Sequence, residues 1–305
     1  MKFMRYACCL ASLLILLSQA AHAVTIWSTS SSPTGTESDQ LVRYDSANPG
    51  TVSVIGSTGV AENFIFYGLD YDNTGKLFGY TADRNTLEAG GLYTVDTSTG
   101  LATFIGAGGV DVGGWLVDMS YNPVDGKMYG LQLRGSAQNR ATILYTIDLT
   151  TGFATKVGEV SPFGFFPGGL ATDGSGNQFI FNAGDDYVWE LVGLNATQLP
   201  MSTGFQSLTG NGFAVDWSRD GAMYLNGIEN FFPAGGIFPE AQFWMVDPTT
   251  GEGTKVGTIG DGQMYRTVTL AIAPSTGVPE PGTLTLLSLG LAGFRYQRSK
   301  RAKST

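Results

Sequence analysis

The chain has 305 residues, a formal net charge of −9, 43 glycines, 14% charged and 12% aromatic residues. A hydrophobic share of 43% is ample for a packed core and excludes wholesale disorder. Abundant glycine with sparse charge favours many short strands joined by tight turns over long helices, within one large domain or two small ones.

The first segment, residues 1–23, reads as a secretory signal. Lys2 and Arg5 supply a positive start, residues 7–17 an apolar run, and Ala21-His22-Ala23 the small-x-small pattern cut by signal peptidase. Cleavage after Ala23 would remove Cys8, Cys9 and His22, which are the only cysteines and the only histidine. The exported body would then lack disulfides, Cys nucleophiles, His bases, Ser-His-Asp triads and the usual zinc sites. Cys8 and Cys9 stand at the start of the apolar run instead of ending it, which speaks against a lipoprotein. Residues 24–278 carry 10 basic and 25 acidic side chains, a net −15. Such a surface repels nucleic acid and anionic membranes and favours cations, Ca²⁺ or a cationic polymer.

The body repeats. GLYTVDTSTGLATFIG (residues 91–106), ILYTIDLTTGFATKVG (143–158) and FWMVDPTTGEGTKVG (243–257) are copies of one strand–turn–strand unit. A looser copy spans residues 41–56 and a degenerate one starts near Tyr187. The marker acids Asp45, Asp96, Asp148, Glu190 and Asp247 recur at 51, 52, 42 and 57 residues, close to the period of propeller blades. A second hairpin recurs between them, at residues 68–80, 117–131, 169–181 and 213–227. Its turns, Asn-Thr-Gly, Pro-Val-Asp-Gly, Gly-Ser-Gly and Arg-Asp-Gly, are strong hairpin signals. Two hairpins per period make a four-stranded blade.

Four blades are complete, at residues 68–106, 117–158, 169–204 and 213–257. Residues 267–274 are left as a lone inner strand, and residues 24–57 as three strands lacking one. Joined, they make a fifth blade that closes the ring and removes its exposed edges. The expected fold is all-β, a five-bladed β-propeller over residues 24–275. Six blades or an open β-sandwich are the alternatives, and the sandwich does not explain the split ends. The repeat resembles those of many secreted bacterial propellers, which implies a fold and not an activity.

The connections divide into two sets. The turns within hairpins are short, whereas the loops joining hairpins and blades are longer and rich in aromatics. Phe64, Phe66, Trp115, Phe163, Phe165, Phe166, Phe231, Phe232, Phe238 and Tyr265 lie there, among Glu62, Arg84, Asp111, Arg134, Arg140, Glu229, Asp261 and Arg266. Phe64, Trp115, Phe165, Phe166 and Phe232 with Arg84, Arg134 and Arg266 are the candidate ligand-binding set, because flat rings and planar donors suit a sugar. The plainer expectation, favoured by how often aromatics are buried, is that these rings pack beneath the loops or plug the channel.

Carboxylates are the remaining route to catalysis. Some five-bladed propellers are glycosidases, and a carboxylate pair is all that hydrolysis needs. Asp70 and Asp72 fall on one predicted inner strand and Asp216 on another, while Asp118 and Asp173 are out of register with Asp70. For Ca²⁺ the candidate stretches are Asp70-x-Asp72-Asn73-x-Gly75, Asp173-x-Ser175-x-Asn177 and the pair Asp185-Asp186. The first two lack the closing bidentate Glu of a calcium loop, and ordinary hairpin turns account for them equally. No catalytic residue, metal ligand or cofactor is assigned.

The tail begins at Val278-Pro279-Glu280-Pro281, continues through an apolar stretch at residues 283–294, and ends with Arg295, Arg298, Lys300, Arg301 and Lys303. This order resembles the PEP-CTERM sorting signal of Gram-negative bacteria. The resemblance implies recognition of the Pro-Glu-Pro site by an exosortase and a link to exopolysaccharide and biofilm. Prolines hold the site extended, and a basic end stays cytoplasmic. Twelve apolar residues span about 18 Å as a helix, against about 30 Å of hydrocarbon, so transient anchoring in the inner membrane before cleavage is expected. The expected function is a non-enzymatic surface or extracellular-matrix protein, with signal peptidase, exosortase and exopolysaccharide as partners. The alternative is a carboxylate-based glycoside hydrolase or lyase.

Overall fold

The structure, a computed structural model, describes residues 23–31, 39–83, 85–86, 88–135, 140–162, 166–200, 214–217, 221–228, 241–260, 266–267 and 269–273. Its ordered elements are all strands, in five antiparallel sheets arranged as a five-bladed propeller. The chain separates into two compact units, residues 1–274 and 275–305, and the described residues all belong to the first. All but the last residue of the proposed signal (residues 1–23) and the whole of the tail (278–305) lie outside the described residues.

The first complete blade is β4 (Phe64–Tyr71), β5 (Leu77–Asp83), β6 (Ala89–Val95) and β7 (Ala102–Gly106). The second is β8 (Gly114–Asn122), β9 (Lys127–Arg134), β10 (Ala141–Ile147) and β11 (Ala154–Glu159). The third is β12 (Pro167–Thr172), β13 (Gln178–Asn182), β14 (Tyr187–Val192) and β15 (Asn195–Gln198). The fourth is β16 (Ala214–Trp217), β17 (Met223–Ile228), β18 (Ala241–Val246) and β19 (Gly253–Thr258). In each, strand order follows the sequence, as consecutive hairpins require.

The fifth blade is shared between the two ends of the body. β1 (Thr25–Ser31), β2 (Gln40–Asp45) and β3 (Asn48–Ser57) take their inner partner from β20 (Arg266–Thr267) and β21 (Ala271–Ile272). Ring closure by this route disposes of the six-blade and sandwich alternatives. The inner strand is two short ladders rather than one continuous strand: Ser30 faces Thr267, Ile26 faces Ile272, and the register slips by one residue between them. Thr269 fills the gap with side-chain chemistry. Its hydroxyl accepts from Thr29 N at 2.7 Å and lies 2.9 Å from Thr29 Oγ1, while the Ser28 hydroxyl donates to its carbonyl. Inner strands β4, β8 and β12 carry register shifts of the same kind.

The core is five clusters of buried side chains, one at each interface between blades. Leu69 and Leu77 meet Trp27 and Leu41 between the fifth and first blades, and Ile180 and Leu170 meet Leu131 and Leu144 between the second and third. Each fully buried side chain of this size contributes about 1.5–3 kcal/mol of transfer free energy, so the ring coheres through its blade interfaces.

The repeat's markers have distinct jobs. Asp96, Asp148 and Asp247 each bend a turn: Asp148 Oδ1 accepts from Thr150 N (2.7 Å), Thr150 Oγ1 (2.6 Å) and Thr151 N (3.0 Å). Gly100, Gly152 and Gly251 follow at φ of 86°, 71° and 80°, the left-handed region where glycine is unstrained. The glycine closing each unit serves the neighbouring blade. A Cβ on Gly106 would sit 2.0 Å from Thr151 O, and one on Gly56 2.3 Å from Thr99 O, so the last strand of one blade abuts the outer turn of the next. Glu190 is the exception among the markers. It lies inside β14 opposite Thr197, and the turn there is the tighter Gly193-Leu194.

Candidate functional site

Every innermost strand is paired on one side only, so alternate backbone N–H groups face the channel without a ladder partner. Buried carboxylates meet them. Asp70 Oδ1 accepts from Tyr71 N (2.6 Å) and Oδ2 from Tyr121 N of the next blade (2.6 Å). Asp118 Oδ1 accepts from Met119 N (2.8 Å), and Oδ2 from Leu170 N (3.0 Å) and Val215 N (3.5 Å). Asp216 repeats the pattern with Trp217 N (2.7 Å) and Ile272 N (2.8 Å). Asp39 joins at the ring closure, accepting from Phe66 N at 2.9 Å. These charge-assisted bonds satisfy inner-edge donors and clasp each blade to its neighbour.

The electrostatics are unusual for surface-type aspartates. Asp118 is 1% exposed and Asp216 5%. Burial lifts both carboxyls well above the usual range, the amide hydrogen bonds oppose this, and repulsion from Asp70 adds to it. Asp70 and Asp216 hold equivalent places on their strands, and Asp118 sits two residues earlier, one layer along the channel. Among the described residues no group of three or more His, Cys, Asp or Glu could hold a metal ion.

The inner strands end at a cavity on the face of the short turns. Tyr71, Tyr121, Thr172, Trp217 and Ile272, one from each blade, ring it, with Asp70 and Asp216 behind and Asp173 at its lip. The space open to the centre of a water molecule is about 50 Å³. A water needs about 10–15 Å³ by that measure, so the mouth admits a few waters or one small group and not a whole sugar ring. Trp217 stacks on Phe179 with ring centroids 5.1 Å apart, which fixes its plane.

The described members of the sequence-derived ligand set, Phe64, Trp115, Phe166 and Arg134, lie toward the opposite end of the strands. Phe64 begins β4, half-buried against the cluster of Phe66 and Leu69. Trp115 packs with Phe166 on the cluster between the second and third blades and lies 6.1 Å from the Tyr67 ring. Arg140 stands 4.6 Å over the Phe166 ring. Arg134 is held by Asp111 (2.8 Å) and Glu159 (3.4 Å), with Lys156 on the same Asp111 at 3.1 Å. The Lys156 hydrogen bond leads in holding the Asp111 carboxyl below its usual value. Arg84, Phe165 and Phe232 lie outside the described residues, as do Ala21, Val278, Pro279, Glu280, Pro281 and Arg295; Ala23 is the first residue described. Arg266 is placed by its backbone in β20 opposite Ser31.

Two of the calcium stretches are hydrogen-bonded as turns. Asp72 Oδ1 accepts from Thr74 N, Thr74 Oγ1 and Lys76 N, and Asp173 Oδ1 from Ser175 N and Asn177 N. At the Asp185-Asp186 turn, burial and then Asp185 push the Asp186 carboxyl up to about 6, and Asp186 takes φ of 59°. Sequence reasoning passed over the amide-clasping role of Asp118 and Asp39 and the ring of Tyr71, Tyr121 and Trp217. The usable signal for the latter was an aromatic just before the first turn of three repeats, in LDY, MSY and VDW.

Residues 277–301 match the PEP-CTERM protein-sorting motif. The chain is therefore a five-bladed propeller that carries a sorting motif read by an exosortase, which implies export and sorting to the cell surface. No curated protein matches the chain. Among solved structures it is similar to a gluconolactonase from Xanthomonas campestris, at 12% identity and TM-score 0.43 over 77% of this chain and 76% of that one. It is also similar to regucalcin, a calcium-binding protein from Agrobacterium tumefaciens, at 17% identity and TM-score 0.42 over 71% and 66%. A third is a GH43 protein from Bacillus licheniformis, at 14% identity and TM-score 0.48 over 62% of this chain and 41% of that one. With TM-scores below 0.5 these likenesses carry no argument about chemistry, and the fold stands on its own strand pairing. No helix among the described residues is long and apolar enough to cross a membrane.

Proposed function

We propose that the protein is a non-enzymatic surface or extracellular-matrix component whose propeller binds exopolysaccharide or other biofilm material after exosortase processing of its tail. The observation that carries this is the sorting motif at residues 277–301, attached to a body closed by its own C-terminal strands. Support for a non-catalytic body comes from the channel carboxylates: each oxygen of Asp118 and Asp216 already accepts a backbone amide, which suits clasping more than proton transfer. The test is co-sedimentation of the purified chain with the exopolysaccharide of its own host. Co-sedimentation at protein concentrations where an unrelated acidic protein stays in solution is the expected result; its absence removes the binding reading.

A second reading, a carboxylate-based glycoside hydrolase or lyase, is favoured by one observation. Asp70 and Asp216 line the same cavity, and burial holds Asp216 above the usual carboxylate range, as a general acid requires. Incubation with the same polysaccharide would release new reducing ends or unsaturated sugars, and Asp216→Asn would abolish the release.

A further inference from the structure

The mouth of the channel is built differently from a simple plug. Five equivalent positions could be closed with aliphatic side chains, yet Tyr71, Tyr121 and Trp217 fill three of them. No basic side chain lines the cavity among the described residues, whereas Asp70, Asp216 and Asp173 do. Among the described residues the surrounding turns add Asp45, Asp72, Asp96, Asp125, Asp148, Asp247 and Glu252, against Lys76 and Lys127, and the sequence places Arg219 and Asp220 together after Trp217. Each Asp216 oxygen accepts one backbone amide, and a carboxylate oxygen has a second lone pair for another donor. Aromatic faces beside carboxylates attract a cation twice over, through the ring quadrupole and through charge.

We propose that this mouth binds the protonated amines of an amino-sugar polymer. The ammonium enters the cavity against Asp216 and Asp173, and the apolar face of the sugar stays outside, against Trp217. The size fits this division, since about 50 Å³ takes an ammonium and a water or two but not the ring. The charge fits as well: a body of net −15 attracts a polyamine and repels an anionic polymer. The proposal rests on the polysaccharide-binding reading above and narrows it to polymers with free amines.

The test uses the full chain in detergent at about 0.15 M salt, where long-range attraction is largely screened. Glucosamine oligomers and N-acetylglucosamine oligomers of equal length are the probes. The glucosamine oligomer binds, and acetylation weakens binding about tenfold or more, the value of a lost charged hydrogen bond. Trp217→Ala and Asp173→Asn each weaken it to a similar degree, while Asp96→Asn, the same charge change on an outer turn, alters it by less than about twofold. The two site variants act through different residues, so either one with an unchanged unfolding midpoint decides the matter. Equal losses in Asp96→Asn and Asp173→Asn overturn the site in favour of face-wide charge. Equal binding of the acetylated oligomer overturns the amine. Binding of the host's own polysaccharide without binding of glucosamine oligomers overturns this inference and leaves the broader reading standing; binding of neither overturns both.

Discussion

At the residue scale, two populations of aspartate respond to pH in opposite senses. Asp118 and Asp216 have folded pKa values raised by burial, so between about 4, the ordinary carboxyl value, and that raised value the folded state binds more protons than the unfolded chain. Their contribution to stability is therefore full below about 4 and is lost as pH rises through the raised pKa. Asp96, Asp148 and Asp247 are held low, by the Ser98 hydroxyl, the Thr150 hydroxyl and the Thr249 amide respectively. What they contribute is present above about 4 and is lost as pH falls through their lowered values. Asp118→Asn should flatten the decline of the melting temperature above pH 4 and leave the acid limb unchanged, as melting curves from pH 3 to 8 would show. Asp118→Ala orphans the Met119 and Leu170 amides and should cost about 1–3 kcal/mol by denaturant titration.

At the scale of the element, the repeat unit is shaped as much by its neighbour as by itself. The glycine ending each outer strand looks like a turn residue in the sequence, yet Gly106 lies in β7 and its missing side chain makes room for Thr151 of the next blade. A methyl group there meets a backbone carbonyl that cannot swing away, so Gly106→Ala should destabilise the fold by about 1–3 kcal/mol. Gly174 is the control: a methyl group added to it would have nothing within 4 Å, and its φ is not positive. Gly174→Ala should therefore shift the unfolding midpoint little. The strand patterns, hairpin turns and blade count were legible because alternation and Asp-x-x-x-Gly turns are local signals. The break in the last inner strand was not, because it depends on Thr269 finding Ser28 and Thr29 some 240 residues away.

At the scale of the whole molecule, the ring is held shut by the residues that lead into the sorting tail. β21 ends at Ile272, five residues before the matched motif begins at 277. A chain ending at residue 276 keeps β20 and β21 and should unfold in one cooperative transition. A chain ending at residue 265 loses both, exposes the inner edge of β1 and uncovers part of the cluster around Ile26 and Tyr44. Its unfolding midpoint should fall sharply and its tendency to aggregate should rise, as calorimetry and light scattering would reveal. Replacing Pro279 and Pro281 with alanine should leave the propeller's melting unchanged while the protein accumulates in the membrane fraction, read by fractionation of the cells that make it.

The sequence by itself determined the strands, the five-blade count, the closure by both ends and the sorting motif. Each is written in local alternation, turn chemistry or an ordered run of residues. Only the tertiary structure showed a cavity at the ends of the inner strands. Aromatic loops drew attention to the face of the long connections, but there Arg134 is tied to Asp111 and Glu159, while Trp115 and Phe166 lean on a core cluster. Among the described residues a cavity opens on the face of the short turns, ringed by one residue from each of five strands spread over some 200 positions. Asp118 likewise looked out of register as a catalytic partner and proved to be a clasp. Which amide a carboxylate meets is set by how blades pack around the axis, and no spacing along the chain records it.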